Sequence, residues 1–320
     1  MKRREFVKSA ALSVPLISIF PADLSAIERE FRSSKIEKRV LGKTGIKLSA
    51  IGFGGIVVQD ASPEESSIRV KQAIDYGINY FDVAPSYGDA EIKLGPALEP
   101  YRKDIYLACK TGERKKEGAR KELEQSLKNL RTDHFDIYQF HAVTKLEDVD
   151  TIFSKGGAME TFLEAKEEGK IRNIGFSAHS VEAAMEMMDR FEFDTILFPF
   201  NFATWYAGNF GPQVMAKAKE KGMGILALKA MAKQPYAEGV KRTVPKAWYE
   251  PIMDKDEANL ALRFTLSHPI TAAVPPGDEN LFEMAMKLAV DFEPLNKDEV
   301  EEIKQKGLTT EPLFKYDGSS

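Results

Sequence analysis

The feature that most constrains the fold is a repeated alternation of short apolar segments with longer amphipathic ones, which begins near Val40. The apolar segments have the length of buried strands, and the amphipathic ones repeat their apolar residues at helical spacing. We interpret eight segments as strands: 47–52, 78–82, 105–110, 135–141, 171–177, 195–200, 223–229 and 270–274. A predicted helix follows each strand, and no linker interrupts the series. Eight such units in about 250 residues predict a single-domain α/β fold, a closed (β/α)8 TIM barrel.

An open, doubly wound sheet is the main alternative, and the turn after the first strand argues against it. Such sheets usually carry a GxGxxG dinucleotide-binding turn there, with an acidic residue about 20 positions later. The turn in this chain reads GFGGIVVQD, and the glycines Gly52, Gly54 and Gly55 do not have that spacing. We therefore expect a barrel with its functional site at the carboxyl ends of the strands.

Composition argues against several classes of function. The 320 residues include 43% hydrophobic and 29% charged residues, which is ordinary for a globular protein with a full core. The net charge of −4 gives no electrostatic reason to expect nucleic-acid binding. The single cysteine, Cys109, excludes an intramolecular disulfide, and the four scattered histidines do not support a metal site. A small-molecule substrate is therefore the partner that we expect.

Residues 1–26 are interpreted as an export signal, separate from the fold. A basic start is followed by an apolar run over 10–20 and then by small residues that end at Ala26. Because that run is short and contains a proline at Pro15, it is poorly suited to span a bilayer. We expect cleavage after Ala26, a periplasmic location and no integral membrane segment in the exported protein.

The basic start also suggests the export route. Arg3 and Arg4, with Phe6 and Lys8, resemble the twin-arginine signal, in which two arginines precede a hydrophobic residue and often a lysine. An ordinary secretory signal that carries two arginines is the alternative. The twin-arginine route exports folded proteins, so it suits an enzyme that takes up a cofactor before export.

Polar side chains stand where several predicted strands end, or on the loop that follows. In chain order they are Asp82, Tyr87, Lys110, His141, Ser177, His179, Asn201 and Lys229. Any one of them alone is explained equally well as a solvated strand end. The first four come from successive strand–helix units, which chance explains poorly, and charges in a barrel mouth are costly unless they are paired. We expect those four side chains to surround one pocket.

Three of these side chains form a coherent general acid. A tyrosine titrates near ~10, and a neighbouring ammonium lowers that pKa by stabilising the phenolate. Asp82 would keep Lys110 charged, Lys110 would polarise the phenol, and Tyr87 would give its proton to an oxygen. His141 would orient the same oxygen through a hydrogen bond. Since neither a Ser/His/Asp triad nor a metal site is visible, hydride from a nicotinamide cofactor is the reactant that fits.

These motifs resemble the aldo/keto reductase superfamily over residues 36–310, with 311–320 as a C-terminal tail. The matching stretches are LGKTGIKLSAIGFGG, NYFDVAPSYG, LACKTG, DIYQFHAV and IGFSAHS. In that family the Asp, Tyr, Lys and His of these motifs form a catalytic tetrad on an (α/β)8 barrel. The resemblance therefore implies the catalytic residues Asp82, Tyr87, Lys110 and His141.

The resemblance also implies where a nicotinamide cofactor binds. Ser177 matches the family serine that contacts the nicotinamide carboxamide. Gly277 lies in the segment that binds phosphate after the eighth strand, next to a predicted helix N-terminus. The candidate cofactor-binding residues are Gly54, Ser177, Asn201, Lys229 and Gly277, and the implied cofactor is NAD(P)H.

The chain departs from the family pattern at several cofactor contacts. Where the family has an Asn, a Gln and a stacking aromatic residue, this chain has Ala178, Leu197 and Leu228. No Lys or Arg is evident for the 2′-phosphate of NADP; Asp278 and Glu279 stand there instead, and two acids would repel that phosphate. This puts an NADP preference in doubt and makes NAD(H) plausible.

The function that we infer is an oxidoreductase. It would transfer a hydride between a nicotinamide cofactor and the carbonyl of an aldehyde, ketone or sugar, with Tyr87 as general acid/base. One alternative is a Schiff-base lyase with Lys110 as nucleophile, which would need no nicotinamide. Another is a nicotinamide-binding regulatory or sensor protein with little turnover, in which replacing Tyr87 would have little effect.

Two long segments, 204–211 and 231–251, are predicted to be loops that limit substrate size. They carry the aromatic residues Trp205, Tyr206, Tyr236 and Trp248. These could wall the pocket, but packing of the loops onto the barrel rim is the interpretation that we favour.

Overall fold

In the computed structural model, which describes residues 35–318, eight parallel strands follow one another around a single sheet. The barrel strands are β3 (Phe53–Gly54), β4 (Tyr80–Asp82), β5 (Tyr106–Thr111), β6 (Phe135–Val143), β7 (Ile171–Ala178), β8 (Thr195–Pro199), β9 (Gly224–Leu228) and β12 (Ala272–Val274), and four further strands outside the barrel are β1 (Lys38–Val40), β2 (Lys47–Ser49), β10 (Ala232–Pro235) and β11 (Tyr249–Pro251). The sheet runs from β3 to β9 in chain order and continues to β12. β1 pairs with β2, and β10 pairs with β11, in two antiparallel hairpins.

Backbone contacts between the first and last strands close this sheet. Ile51 forms a parallel bridge with Ala273. The Gly52 N–H donates to the Ala273 carbonyl at 2.9 Å, and the Ala273 N–H donates to the Ala50 carbonyl at 2.9 Å. The predicted (β/α)8 barrel is therefore confirmed.

Helices surround the barrel. They are α1 (Pro63–Asp75), α2 (Ala90–Leu98), α3 (Lys116–Asn129), α4 (Leu146–Phe153), α5 (Ala158–Glu167), α6 (Val181–Arg190), α7 (Phe202–Tyr206), α8 (Pro212–Glu220), α9 (Lys255–Ser267), α10 (Glu279–Val290) and α11 (Lys297–Thr309). None of the helices in residues 35–318 has the length and apolar character needed to cross a membrane. The predicted signal, 1–26, lies outside the described residues.

Local sequence explains where these helices begin. At α1, the Ser62 side chain accepts from the Glu65 N–H at 3.1 Å, and Glu65 accepts from the Ser62 N–H at 2.7 Å. Pro63 supplies the first helical residue, where no donor is needed. The buried face, which includes Val70 and Ala73, then packs on the barrel.

The core has two parts, and their arrangement positions the site. One fills the space between sheet and helices. The other lies inside the barrel and consists of Leu41, Leu48, Tyr80, Ala108, Ile137, Leu197, Leu226, Ala272 and Val274. Because apolar side chains fill the interior, polar residues further along the same strands lie at its carboxyl end.

The first strand differs from its prediction. Segment 47–52 was expected to form it, but Lys47–Ser49 belongs to the β1–β2 hairpin and the barrel strand is Phe53–Gly54. The shift arises because Leu41 and Leu48 are both buried in the interior cluster, so the hairpin covers one end of the barrel. Gly42 packs so closely on β9 that a Cβ there would lie 2.3 Å from the Gly224 nitrogen.

The segments predicted to be loops contain regular structure. Segment 204–211 overlaps the short helix α7, and 231–251 contains β10 and β11. Helix α4 was not predicted either. The β10–β11 pairing joins strands that no local pattern links, so periodicity does not reveal it.

Candidate active site at the carboxyl ends of the strands

A cavity of about 220 Å³ lies at the carboxyl ends of the barrel strands. The four predicted catalytic residues all line it. Its other walls are Gly54, Ile56, Ser177, His179, Leu197, Leu228, Lys229, Lys246, Trp248, Tyr249, Val274, Pro275, Pro276 and Gly277. Of the five predicted cofactor contacts, four thus lie at the cavity and Asn201 does not.

A buried ion pair forms the floor of the cavity. The Lys110 ammonium donates to Asp82 Oδ2 at 2.5 Å and to the Val83 carbonyl at 3.1 Å. Both charged side chains are only 1% exposed. Adjacent strands β4 and β5 carry the pair, with Asp82 in register with Ala108. The Tyr80 phenol donates to the second oxygen of Asp82 at 3.1 Å, a contact that the sequence analysis missed.

Lys110 keeps its charge in this environment. Burial alone would lower the pKa of the ammonium, but Asp82 and then Tyr87 counteract it, and the net pKa of Lys110 is raised. A lysine that attacks a carbonyl must first lose its proton. The paired ammonium therefore disfavours the Schiff-base alternative.

The Tyr87 phenol lies beside this ion pair. Lys110 Nζ is 5.2 Å from the centroid of the Tyr87 ring. Burial is the largest influence and raises the pKa of Tyr87; Lys110 lowers it, as expected, and Asp82 raises it. Because the net pKa is raised, the phenol keeps its proton at neutral pH, which suits a group that donates one.

His141 stands next to Tyr87. The two rings meet edge to face, with centroids 5.7 Å apart, and His141 Nδ1 lies 3.3 Å from Ser86 Oγ. Burial, and then the charge of Lys110, lowers the pKa of His141 to about 3. The ring is therefore neutral at pH 7 and has one N–H donor, as needed to orient a carbonyl oxygen.

The backbone just beyond His141 has an unusual conformation. Ala142 has a φ of 51°, in the left-handed region that side-chain-bearing residues rarely adopt. Its N–H donates to Ser177 Oγ at 2.8 Å, and Arg114 donates to the His141 carbonyl at 2.8 Å. Strained backbone of this kind clusters at functional sites. Ser177 thus supports the turn that follows His141, besides lining the cavity.

On the opposite side, Lys229 projects from the end of β9 with a φ of 68°. Its ammonium lies over the rings of Trp248, 5.2 Å from the centroid, and Tyr249, 4.7 Å from the centroid. Burial lowers the pKa of Lys229 to about 8. Tyr249 was not among the residues predicted to line the site.

The four aromatic residues of the long segments have different positions. Trp248 lines the cavity. Trp205 and Tyr206 pack instead against Phe264 of α9, and the Tyr236 hydroxyl lies 3.2 Å from Thr243 Oγ1. Three of the four aromatic side chains therefore lie away from the cavity, and only Trp248 lines it.

Asn201 has a local role in the structure. As the N-cap of α7, its side chain accepts from the Thr204 N–H at 2.8 Å, and its amide donates to the Lys229 carbonyl at 3.3 Å. The side chain is fully buried outside the cavity lining. Asn201 thus holds the backbone of Lys229 in place.

The expected phosphate segment is already capped. Asp278 Oδ1 accepts from the Asn280 and Leu281 N–H groups at 3.0 and 3.1 Å, so these amides at the start of α10 are occupied. Glu279 forms an ion pair with Arg69. Two of the amides that were expected to attract a phosphate therefore have a partner within the protein.

Lys246, which was not predicted to be part of the site, also approaches the predicted phosphate segment. Lys246 donates to the carbonyls of Ile56 at 3.2 Å and Gln59 at 2.7 Å, which joins the segment before β11 to the loop after β3. Burial, and then Arg69, lowers the pKa of Lys246. Basic groups thus do approach the predicted phosphate segment, but from distant parts of the chain.

Comparison with known proteins assigns the family. The model of the aldo/keto reductase family matches residues 50–307. L-Galactose dehydrogenase of Arabidopsis thaliana is 31% identical over 216 residues, which are 62% of this chain and 66% of that protein. An aldo-keto reductase of Bacillus subtilis is 34% identical over 189 residues, 52% of this chain and 54% of that protein. The matches thus span only 54–66% of the length of these two relatives.

Solved structures agree on the fold. An aldo-keto reductase from Bacillus halodurans, in its holo form, superposes with a TM-score of 0.70 at 22% identity, over 88% of this chain and 98% of that one. A second one, described as an aldo-keto reductase from Pseudomonas, gives 0.64 at 24% identity and covers 81% of this chain and 96% of its own. At these identities the similarity concerns the barrel alone.

Proposed function

Because this chain belongs to the aldo/keto reductase family of oxidoreductases, we propose that it reduces the carbonyl group of an aldehyde, ketone or sugar with Tyr87 as the proton donor. The observation that carries the proposal is the buried Asp82–Lys110 pair, 2.5 Å apart, directly beside the Tyr87 phenol. A buried charge pair is expensive to maintain, so its position next to a phenol is most simply explained by chemistry.

Each of the four side chains has a distinct part in this proposal. The carbonyl oxygen accepts hydrogen bonds from Tyr87 and His141, which fixes its position and polarises it. Tyr87 gives its proton to that oxygen as the carbonyl is reduced, and the Lys110 ammonium stabilises the phenolate that remains. Asp82 keeps Lys110 charged and in place. When bound, a reduced nicotinamide supplies the hydride for the carbonyl carbon.

The residues around the cavity are compatible with a nicotinamide dinucleotide. Lys229 and Lys246 bring positive charge to the wall that runs from β9 to the segment after β12. Glu279 at the start of α10 is paired with Arg69, but the neighbouring Asp278 carboxylate adds a negative charge, which disfavours an additional phosphate. We propose that the chain uses NADH in preference to NADPH.

The decisive experiment measures nucleotide binding and turnover in the same preparation. We expect NADH fluorescence to respond saturably to the protein, and NADH to be consumed with members of an aldehyde and sugar panel. Tyr87→Phe removes the donated proton but leaves the ring packing intact. It should lower kcat by roughly 10²–10⁴-fold, the usual contribution of a general acid, while NADH still binds.

Two outcomes would contradict the proposal. If neither NADH nor NADPH binds, the reductase function fails. If both bind tightly but Tyr87→Phe changes a slow turnover by less than threefold, the sensor alternative explains the protein better.

We also propose that the protein is exported through the twin-arginine route. The support is the Arg3-Arg4 pair ahead of the apolar run 10–20. A fusion of residues 1–26 to a reporter that must fold in the cytoplasm should reach the periplasm of a bacterial host. Arg3→Lys together with Arg4→Lys should abolish that export; unchanged export would indicate the ordinary secretory route instead.

A further inference from the structure

The cavity contains a second set of polar groups that the proposed proton transfer does not use. His179 follows directly after β7, and Lys229 follows directly after β9. Both line the same cavity as Tyr87 and His141. Their environment shows what they are able to bind.

Lys229 differs from the other cavity cations in lacking an acceptor. Lys110 is paired with Asp82, and Lys246 donates to two backbone carbonyls. Within residues 35–318, the Lys229 ammonium makes no hydrogen bond or ion pair and lies over the faces of Trp248 and Tyr249; burial is the sole cause of its lowered pKa. With a pKa of about 8 it remains mostly charged at pH 7, without a counter-ion.

His179 also has an unused polar atom. Its Nε2 is buried and has no hydrogen-bond partner within residues 35–318, while its ring stacks on Phe314 at a centroid distance of 5.4 Å. Burial, and then Lys229, lowers the pKa of His179 to about 4, so the ring is neutral at pH 7. A buried polar atom without a partner is costly unless a ligand or a water completes it.

The position of His179 relates it to the proposed carbonyl site. The His179 N–H donates to the Val143 carbonyl at 3.2 Å, so the ends of β7 and β6 lie side by side. Neighbouring strands are roughly 5 Å apart, so His179 lies just beyond the strand that neighbours the one carrying His141. The charge of Lys229 lowers the pKa of His141, and a protonated His179 would lower it too, after the larger influences of burial and Lys110. A carbonyl compound held at His141 would share the cavity with these two groups.

We propose that His179 and Lys229 bind a negatively charged group, a carboxylate or phosphate, that the carbonyl substrate carries a few bonds from its reacting carbon. This inference rests on the proposed reductase function. A neutral His179 N–H donates to the anion, and Lys229 supplies the balancing charge in a partly enclosed site, where charge-assisted hydrogen bonds are strong. The substrates would be short aldehyde or keto acids, or acidic sugars, rather than their neutral analogues.

The diphosphate of the cofactor has the same chemistry, so the test must separate the two sources. Two aldehydes of equal chain length, 4-oxobutanoate and butanal, are compared with NADH as the reductant. The wild-type protein should have at least a tenfold higher kcat/KM for the acid. Lys229→Met and His179→Phe, which keep volume and stacking, should each lower that ratio at least tenfold, mainly through KM. Lys229→Arg, which keeps the charge, should retain most of the preference.

Two results would overturn the inference. One is an equal kcat/KM for both aldehydes in the wild-type protein. The other is a tenfold loss of NADH affinity in Lys229→Met with an equal loss of turnover for both aldehydes, because the anion would then be the cofactor diphosphate. NADH titration of each variant by fluorescence distinguishes this case.

The anion site can also be tested if the protein proves not to be a reductase. If the protein reduces neither aldehyde, butanoate is titrated into the protein–NADH mixture by calorimetry. Binding that disappears in Lys229→Met would support the anion site although the reductase proposal failed. Absence of butanoate binding to the wild-type protein would overturn the anion site.

Discussion

Two lysines at the mouth of the barrel have opposite surroundings. Lys110 is near the end of β5, and Lys229 directly follows β9. Lys110 lies 2.5 Å from Asp82 and has a raised pKa. Lys229 faces two aromatic rings and has a pKa lowered to about 8. The first charge is compensated within the protein, as expected for a group that must stay in place during a reaction. The second is not, as expected for a group that awaits an anion.

Removing the compensated lysine should have the largest effect. Lys110→Met leaves Asp82 buried without its partner, which typically lowers the free energy of unfolding by about 3–5 kcal/mol. It should also abolish measurable carbonyl reduction. Chemical denaturation followed by circular dichroism gives the stability, and NADH consumption gives the activity.

A double variant provides the control for this prediction. Asp82→Asn combined with Lys110→Met removes both charges and should recover much of the lost stability, but not the activity. If Lys110→Met alone is as stable as the wild-type protein, removal of Lys110 does not leave Asp82 as a costly unpaired charge.

Removing the uncompensated lysine should have the opposite effect on stability. Because burial depresses the pKa of Lys229, the unfolded chain binds more protons than the folded protein between pH 8 and 10.5, and stability rises with pH across that range. Lys229→Met removes the cost of burying the charge and should stabilise the protein at pH 7 by about 1–3 kcal/mol. A destabilised Lys229→Met would show that the contact of the ammonium with the Trp248 and Tyr249 rings outweighs the cost of burying the charge.

The two cavity histidines extend the comparison to acidic pH. Burial lowers the pKa of His141 to about 3 and of His179 to about 4, against 6.5 in the unfolded chain. Their contribution to stability is therefore complete above pH 6.5 and is lost as the pH falls from 6.5 to about 4 for His179 and to about 3 for His141. For His179 the loss should amount to roughly 1–3 kcal/mol.

His179→Phe should flatten this part of the stability–pH curve. His268, which lies outside the cavity, also has a lowered pKa through burial and contributes with the same sign. It therefore serves as a reference: His268→Phe removes a contribution of the same sign without touching the cavity. An unchanged curve in His179→Phe would mean that the pKa of His179 is not lowered in the folded protein.

The smallest effect is expected for a substitution in the predicted phosphate segment that changes the preference between NADH and NADPH, because acidic and basic side chains are nearly balanced there. Glu279→Gln releases Arg69 from its ion pair and removes one negative charge from the start of α10. The ratio of the NADPH to the NADH dissociation constant should fall by roughly 3–10-fold, as expected for a partly exposed charge. Glu283→Gln, further along the same helix, is the matched control. An unchanged ratio would place the 2′-phosphate elsewhere.

The motifs predicted well which residues come together around Asp82 and Lys110, but they predicted the pKa values of those residues less well. Asp82, Lys110 and His141 sit at strand ends that short apolar patterns identify, so their convergence followed once the barrel was predicted. The partner of Asp82, Tyr80, was not predicted because the phenol reaches it from two residues away inside the barrel. The net pKa of Tyr87 depends on burial, which no sequence motif expresses.

The other wall of the cavity was predicted poorly. Tyr249 and Lys246 come from a segment expected to be a loop, and Arg69 comes from α1, far from its partner Glu279 in the chain. Asn201 stands at a strand end as the motif requires, yet its amide is used by the backbone of α7 and Lys229. A strand-end position brings a residue to the rim, but neighbours decide where its side chain points.

By itself, the sequence determined the alternation of strands and helices, the barrel, and which residues stand at the strand ends, because these depend on local periodicity and on motifs within single units. The tertiary structure alone decided which lysine is compensated, which histidine nitrogen is left without a partner, and where Asp278 directs its carboxylate. Burial and pairing depend on atoms that are distant in the chain, and they set the free energy of each charge. The two lysines show the difference: the sequence pattern places both at the rim, and only the fold distinguishes them.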